Sequence, residues 1–140
     1  MKNKTINTRS FGLSFLIMLN LFCWNCRGIM SSAFSLSEFL DNNDIDIALI
    51  SEHKLFPKSA TFLESINRQY AAYATFDTRL NQYGPLRCGR AGTAVLFKKT
   101  LNGRISRLPI ESERILGVEV HRKTSCLYTY SALTSQLART

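Results

Sequence analysis

The segment Leu19–Leu55 decides the fold, because it contains two apolar runs with a helix-like stretch between them. The first run lies in LNLFCWNCRGI (Leu19–Ile29), and the second lies in DIDIALISEHKL (Asp44–Leu55). Each run ends close to a polar side chain, Asn25 in the first and Glu52 in the second. The question for the rest of the chain is whether these two side chains belong to one site.

The pattern predicts a strand over Leu19–Trp24, a helix that opens with a capping box at Ser35-Leu-Ser-Glu38, and a second strand over Asp44–Ile50. Strands joined through a helix in this way are parallel. The carboxyl ends of parallel strands lie at the same edge of a sheet, where ligands bind in open α/β folds. We therefore expect Asn25 and Glu52 to be neighbours in space.

The remainder predicts one short helix and further strands. Thr61 and Glu64 have capping-box spacing and predict a helix over 61–69. Strands are predicted at 70–76, 91–97, 114–120 and 125–130, and residues 104–108 are expected to pair back. Strands in sequence after the first unit predict a mixed sheet with antiparallel neighbours. Residues 77–90 are expected to form a long loop that touches the ligand, with Arg87 and Arg90 as weak candidates for phosphate contacts.

The composition bounds the class of protein. The chain has 140 residues, enough for one domain with a core, and 45% of them are hydrophobic. The formal net charge is +8. Such a charge suits a nucleic acid or another polyanion as partner, but the basic residues are dispersed and also fit an ordinary solvated surface. Charge alone leaves both interpretations open.

The four cysteines include one C-x-x-C pair, Cys23 and Cys26. This spacing occurs in zinc knuckles and redox motifs. A zinc site needs a second pair, which Cys88 and Cys126 do not form, and a redox pair opens a helix, whereas Cys23 falls in a predicted strand. We expect ordinary thiols.

The N-terminus has two interpretations. Basic residues precede an apolar run from Phe11, as in a secretory signal, but no small-x-small cleavage site follows. We expect residues 1–17 to be a leader of uncertain structure and residues 18–140 to form the domain. An intracellular location, nuclear or cytoplasmic, is favoured, with secretion as the alternative if the N-terminus is a signal. No membrane association is expected.

Five motifs in order resemble the endonuclease/exonuclease/phosphatase superfamily, and most of all the endonuclease domains of LINE-type (non-LTR) retrotransposons. The motifs are WNCRGI, DIDIALISEHKL, GRAGTAVLFKK, ERILGVEV and LYTYSAL, which together cover roughly Leu19–Leu133. The resemblance implies an α/β fold, the N-terminal part of a two-sheet α/β sandwich of the deoxyribonuclease-I-like type, with a mixed sheet and flanking helices.

The resemblance also implies a function, a Mg²⁺-dependent endonuclease that cleaves phosphodiesters in DNA, with Mn²⁺ as a possible substitute. Asn25 would help to position metal and phosphate, Glu52 would be the metal ligand, and Tyr130 would contact the region of the scissile phosphate. Magnesium needs few protein ligands because it keeps several waters, so one carboxylate can hold it. No stable protein partner is implied.

Two departures from the family pattern limit the expected activity. The proline expected near Ala132 is absent, and no position matches the Asp-x-Asn and Asp-His segments that the family places downstream. Of the two histidines, His53 falls on the wrong motif for a general base, and His121 is expected to be exposed in a turn. We therefore expect a truncated domain with weak or no nuclease activity.

Three alternatives remain open from the sequence. One is a non-catalytic, basic nucleic-acid-binding remnant. Another is a phosphoesterase of the same superfamily with a different substrate, since fold does not fix substrate. The third is a small secreted basic protein.

Overall fold

A computed structural model describes residues 18–77 and 91–121, together with the backbone of the strand at 127–132. This part of the chain contains seven strands and two α-helices. The strands are β1 (Leu21–Asn25), β2 (Ile47–Ser51), β3 (Tyr70–Thr75), β4 (Thr93–Lys98), β5 (Ile105–Arg107), β6 (Leu116–His121) and β7 (Leu127–Ala132); the helices are α1 (Ala33–Asn42) and α2 (Thr61–Ser65). Every predicted strand is present, with its ends shifted by at most three residues.

The first sheet has the strand order β1-β2-β4-β3. β1 and β2 are parallel, as predicted, while β4 is antiparallel to both of its neighbours. Side chains that alternate along β2 are apolar on both faces of this sheet: Ala48 and Ile50 join one core cluster, whereas Ile47 and Leu49 join another. A sheet of this kind must be covered on both sides.

The helices cover one face of the first sheet. Leu36 and Leu40 of α1 and Leu63 of α2 pack with Phe22, Ile50 and Leu96 from the strands. Leu36 and Leu40 are four positions apart and so lie on the same side of α1, as expected for a helix with one apolar side. The opposite face of the first sheet packs on a second sheet.

That second sheet corrects one prediction. The later strands do not extend a single mixed sheet: β5, β6 and β7 form a separate antiparallel sheet, and β5 pairs with β6 instead of pairing back on β4. A 3-10 turn at Lys99–Leu101 and the left-handed Gly103 (φ +78°) redirect the chain between the two sheets. Burial of Val118 and Val120 against Val95 and Phe97 then closes the second core.

The predicted capping boxes are also wrong. α1 begins at Ala33, not at Ser35, because a 3-10 turn at Met30–Ser32 leads directly into it, and its N-cap makes no side-chain hydrogen bond. α2 likewise has no side-chain cap and ends at Ser65. The Asn67 side chain accepts a hydrogen bond from the Gln69 backbone nitrogen (2.9 Å), and the chain then turns into β3.

The acids before β2 anchor a turn, so the strand starts at Ile47 and not at Asp44. Asp44 is left-handed (φ +49°), and the Asp46 carboxylate accepts a hydrogen bond from the Asn20 backbone nitrogen (2.8 Å). Both carboxylates pair with the Lys98 ammonium. Burial alone would lower the pKa of Lys98, but these two hydrogen-bonded carboxylates raise it above its ordinary value.

Neither of the helices in the described residues has the length and apolar character needed to span a membrane. The predicted leader at 1–17 and most of the predicted loop at 77–90, including Arg87 and Arg90, lie outside the described residues. The division into leader and domain therefore stays a prediction.

The layered core predicts which substitution in β2 destabilises the fold. Ile50 is fully buried between the first sheet and the helices. We expect Ile50→Ala to lower the free energy of unfolding by about 2–5 kcal/mol, because it removes buried methylenes and leaves a cavity. Urea unfolding followed by circular dichroism measures this loss. The matched control is Cys23→Ala at an exposed position of the same sheet, and an equal loss in both variants would contradict the layer assignment.

Candidate functional site

The parallel register of β1 and β2 brings Asn25 and Glu52 together. Asn25 pairs with Ser51, so Glu52 is the next residue beyond the pair. The Asn25 Nδ2 atom donates a hydrogen bond to Glu52 Oε1 at 3.0 Å. The Asn25 Oδ1 atom accepts one from the Arg27 backbone nitrogen at 3.3 Å, which fixes the orientation of the amide.

The backbone around this pair is strained. Arg27, Glu52, Lys54 and Ala91 all have φ between +50° and +56°, although none is glycine. Each such residue costs about 1–2 kcal/mol relative to the right-handed region. Strain of this kind persists where surrounding structure enforces it, and it concentrates at functional sites.

Backbone hydrogen bonds hold these conformations. They join the loop after β1, the loop after β2 and the segment before β4. The Gly28 nitrogen donates to the Glu52 carbonyl oxygen (2.8 Å), and the Ile29 nitrogen donates to the His53 carbonyl oxygen (3.1 Å). On the other side, the Lys54 nitrogen donates to the Ala91 carbonyl oxygen (2.9 Å). The loop that carries Glu52 is therefore fixed from both sides, and its carboxylate has a defined position.

His53 supports the site from inside the protein. Its side chain is 1% exposed and lies in contact with the ring of Phe76, at 5.2 Å between centroids. The Leu55 backbone nitrogen donates to Nδ1 at 3.0 Å, so Nε2 carries the proton and donates to the Thr75 carbonyl oxygen at 2.9 Å. One neutral imidazole thus joins the end of β2 to the end of β3.

This environment excludes His53 as a general base. Both ring nitrogens are used by the backbone, and the ring is on the buried side while Glu52 is at the surface edge. Burial lowers the pKa of His53 below its ordinary value, although the hydrogen bond to Thr75 acts in the opposite direction. This geometry agrees with the prediction that His53 is not the general base.

His121 is placed differently from the prediction. It is the last residue of β6 and not part of a turn, and its side chain is about two-fifths exposed. Its Nε2 atom lies 2.9 Å from Ser106 Oγ and 3.7 Å from a Glu119 carboxylate oxygen. Its strand belongs to the second sheet, whereas Asn25 and Glu52 end strands of the first.

Tyr130 lies in β7, opposite Val118 of β6. Its side chain is outside what the structure describes, so only its strand position is known. The structure therefore brings two of the three predicted site residues into contact. The catalytic and metal-binding roles of all three stay predictions.

The two thiols of the C-x-x-C pair are not joined by a disulfide. Cys23 and Cys26 are both free thiols. The Cys26 Sγ atom shares its one proton between the carbonyl oxygens of Ser51 (3.4 Å) and Glu52 (3.3 Å) in a weak bifurcated hydrogen bond. Burial raises the pKa of the Cys26 thiol, which disfavours the reactive thiolate.

No group of three or more His, Cys, Asp or Glu side chains within the described ranges is close enough to hold a metal ion. Glu52 is the one carboxylate in the Asn25–Glu52 pair. Its Oε1 atom accepts from Asn25, and its Oε2 atom makes no hydrogen bond to any residue that the structure describes. This donor set fits Mg²⁺, which binds through one or two carboxylates and retains waters, and does not fit a zinc cage.

Two features of the site have little signal in the sequence. The left-handed conformation of Glu52 breaks the strand, although glutamate has no preference for that region. The contact between His53 and Gly92 joins residues that are 39 positions apart. The sequence gives one indication of this contact, the Ala91-Gly92 pair directly before a predicted strand. A glycine next to a strand can mark a close approach of another backbone or side chain.

Two sheets packed together with helices on one face define a two-sheet α/β sandwich, and this confirms the predicted fold class. Solved structures with a similar fold include two AP endonucleases. The enzyme from Leishmania major matches with a TM-score of 0.51 and 18% identity, over 71% of this chain and 34% of that chain. The enzyme from Archaeoglobus fulgidus matches with a TM-score of 0.47 and 18% identity, over 74% of this chain and 37% of that chain.

The chain spans about a third of the length of these AP endonucleases. No protein family and no curated protein matches the sequence. At this identity the comparison establishes the fold and leaves the activity to be argued from the site.

Gly92 is expected to be required for packing against His53. A Cβ atom at this position would lie 2.3 Å from His53 Cε1, and φ is +89°. We expect Gly92→Ala to lower the free energy of unfolding by about 2–4 kcal/mol, the sum of backbone strain and overpacking. Chemical denaturation measures the difference.

The control for that variant is Gly103→Ala. Gly103 also has a positive φ (+78°), but a Cβ atom there would meet nothing within 4 Å. In this variant the free energy of unfolding should fall only by the cost of backbone strain, about 1 kcal/mol. Equal losses at the two glycines would contradict the steric role of His53.

The buried imidazole predicts that the fold loses stability in acid. The pKa of His53 is lowered in the folded state, so the unfolded chain takes up a proton first as the pH falls below about 6.5. The stabilisation is complete above that pH and is lost as the pH falls through the folded-state pKa, by at most about 1.4 kcal/mol per pH unit. Urea unfolding at pH 7.5 and 5.5 tests this expectation, and His121→Gln should retain the dependence. If the pH dependence disappeared in His121→Gln, the effect would belong to His121 and not to His53.

Proposed function

We propose that this chain carries the metal- and phosphate-binding corner of a phosphodiesterase that acts on DNA, with Glu52 as ligand of Mg²⁺ and Asn25 as the residue that orients it. The observation that carries the proposal is the hydrogen bond from Asn25 Nδ2 to Glu52 Oε1 at the carboxyl edge of β1 and β2. This edge is where open α/β sheets place their ligands.

The fold supports the same class. A similar fold occurs in the AP endonuclease of Leishmania major, and this agrees with the resemblance to the endonuclease/exonuclease/phosphatase superfamily. The closer resemblance to LINE-type retrotransposon endonucleases rests on the sequence motifs alone. A DNA substrate is also compatible with the net charge of +8.

In this proposal the two side chains have separate tasks. The Asn25 amide donates one hydrogen bond to Glu52, and its oxygen accepts one from the Arg27 backbone nitrogen. The amide would hold the carboxylate through Oε1 and leave Oε2, which bonds to no residue that the structure describes, for the cation. A bound Mg²⁺ would neutralise phosphate charge and polarise the phosphoryl oxygen.

A general base is needed to deprotonate the attacking water. His53 is buried and fully hydrogen-bonded, so it cannot serve. His121 belongs to the second sheet and is bonded to Ser106. We therefore propose that the base does not come from residues 18–77 or 91–121, and that the chain by itself cleaves DNA weakly or not at all.

The proposal makes two measurable claims about Glu52. Titration of Mg²⁺ should raise the melting temperature of the full chain, because an ion that binds only the folded state stabilises it by mass action. Glu52→Gln should abolish that increase while keeping the side-chain shape and its capacity to accept from Asn25. Differential scanning fluorimetry with and without EDTA measures the effect.

Plasmid nicking tests the activity. We expect slow, Mg²⁺-dependent nicking at most, reduced by about 100- to 1000-fold or to background in Glu52→Gln, since one electrostatic contact of this kind is worth about 2.7–4 kcal/mol in the transition state. The control variant is Glu64→Gln, an exposed carboxylate on α2. Robust nicking by the unmodified chain that Glu52→Gln leaves unchanged would refute the assignment.

The runner-up is a nucleic-acid-binding protein without catalysis, favoured by the absence of a base among the described residues. Salt-dependent DNA binding that neither Mg²⁺ nor Glu52→Gln alters would support it.

A further inference from the structure

Two large apolar side chains are exposed at the beginning of α1. Met30 is 66% exposed and Phe34 is 78% exposed. A single exposed apolar residue is ordinary on a protein surface. These two lie about one helical turn apart, because the 3-10 turn at Met30–Ser32 runs directly into α1. We refer to the two side chains as the Met30–Phe34 patch.

Hydrogen bonds place the turn that leads into this patch beside the loop that carries Glu52. The Gly28 nitrogen is bonded to the Glu52 carbonyl oxygen, and the Ile29 nitrogen is bonded to the His53 carbonyl oxygen. Ile29 is fully buried and anchors the turn, and Met30 is the next residue, one Cα–Cα step of about 3.8 Å further on. The patch therefore lies at the same edge of the sheet as the carboxylate.

Cationic side chains accompany the patch. Arg27 is exposed in the turn that precedes it. The Lys54 side chain approaches the same turn, with its Cδ atom 3.9 Å from the position that a Cβ atom of Gly28 would take. Apolar and cationic groups at one edge complement a ligand that has both phosphates and flat apolar faces. A nucleic-acid strand has both, whereas a purely apolar protein surface would leave the cations without a partner.

We propose that the Met30–Phe34 patch stacks against an unstacked nucleobase next to the phosphate that a cation on Glu52 would hold. The inference rests on the proposed function for the position of that phosphate. It adds a preference in substrate: single-stranded or locally unpaired DNA binds better than a fully paired duplex, because only an unstacked base can offer its face to Phe34. Stacking of this kind does not depend on the identity of the base.

The test is DNA binding by the full chain in EDTA, which separates stacking from chemistry. Fluorescence anisotropy at one fixed salt concentration would compare three labelled probes of the same sequence: a single strand, a duplex with an internal unpaired bubble, and a fully paired duplex. We expect the first two to bind more tightly than the third. Phe34→Ala should weaken binding to the first two by about tenfold and to the paired duplex by less than about twofold.

Two further variants control the test. Phe34→Trp keeps an aromatic face and should restore the preference. Met18→Ala removes another exposed apolar side chain (66% exposed), located before β1 at the opposite end of that strand, and should change nothing. Since Phe34 is exposed, its substitution should leave the melting temperature unchanged, which confirms that the variant is folded.

Three results would overturn the inference: no binding of any probe by the unmodified chain, an equal loss on all three probes in Phe34→Ala, or a dimer in analytical ultracentrifugation that Phe34→Ala dissociates. The last result would assign the patch to a second copy of the chain. The proposed function and the stacking proposal can be refuted independently of each other. Glu52-dependent nicking with no selective effect of Phe34→Ala would keep the phosphodiesterase and remove the stacking, and the reverse outcome would keep the stacking surface and remove the catalysis.

Discussion

The parallel pairing of β1 and β2 is the constraint on which the rest of the structure depends. It sets Asn25 opposite Ser51 and so fixes which two polar side chains meet at the carboxyl edge. It also requires cover on both faces of the first sheet, because the helix that joins the two strands lies on one face and the other face is apolar as well. The second sheet supplies that cover through Val118 and Val120. A slip of one residue in this register would send the apolar side chains of β2 to the opposite faces and would separate the pair.

Rigidity at the edge comes from a buried histidine and not from the polar pair itself. The hydrogen bond between Asn25 and Glu52 is near solvent, where such a bond contributes about 1 kcal/mol. That is comparable with the cost of the left-handed backbone at Glu52 alone, about 1–2 kcal/mol, and three further residues around the pair have the same conformation. The compensation lies beneath the surface, where the His53 ring bonds to the backbone of two segments and fills the space that Gly92 leaves open. Burial of a polar side chain is favourable here because both of its nitrogens are satisfied.

Periodicity predicted the elements well and their partners only in part. The β-α-β unit followed from two apolar runs with a helix between them, and the meeting of Asn25 with Glu52 followed from the parallel direction of its two strands. The two-sheet sandwich was expected from the family resemblance, but periodicity did not assign the later strands to the second sheet, because local sequence does not show which strand pairs with β5; burial of residues distant in sequence decides it. The capping boxes failed for a related reason, since Ser35 matches the motif but the 3-10 turn that starts at Met30 had already begun the helix. The left-handed Glu52 could not be predicted from local preference at all.

That missed helix start also affects the site. If α1 had begun at Ser35, the preceding residues would form an irregular linker with no fixed relation to Glu52. Because Ile29 is buried and bonded to the His53 carbonyl oxygen, the turn is instead part of the same rigid corner as the carboxylate. An exposed aromatic ring on a rigid element loses little conformational entropy on binding, which is what makes such rings effective contacts. A loop that carried Phe34 would have to be ordered first. The physical case for Phe34 as a binding residue is thus its rigid attachment to the edge that holds Glu52, together with its exposure.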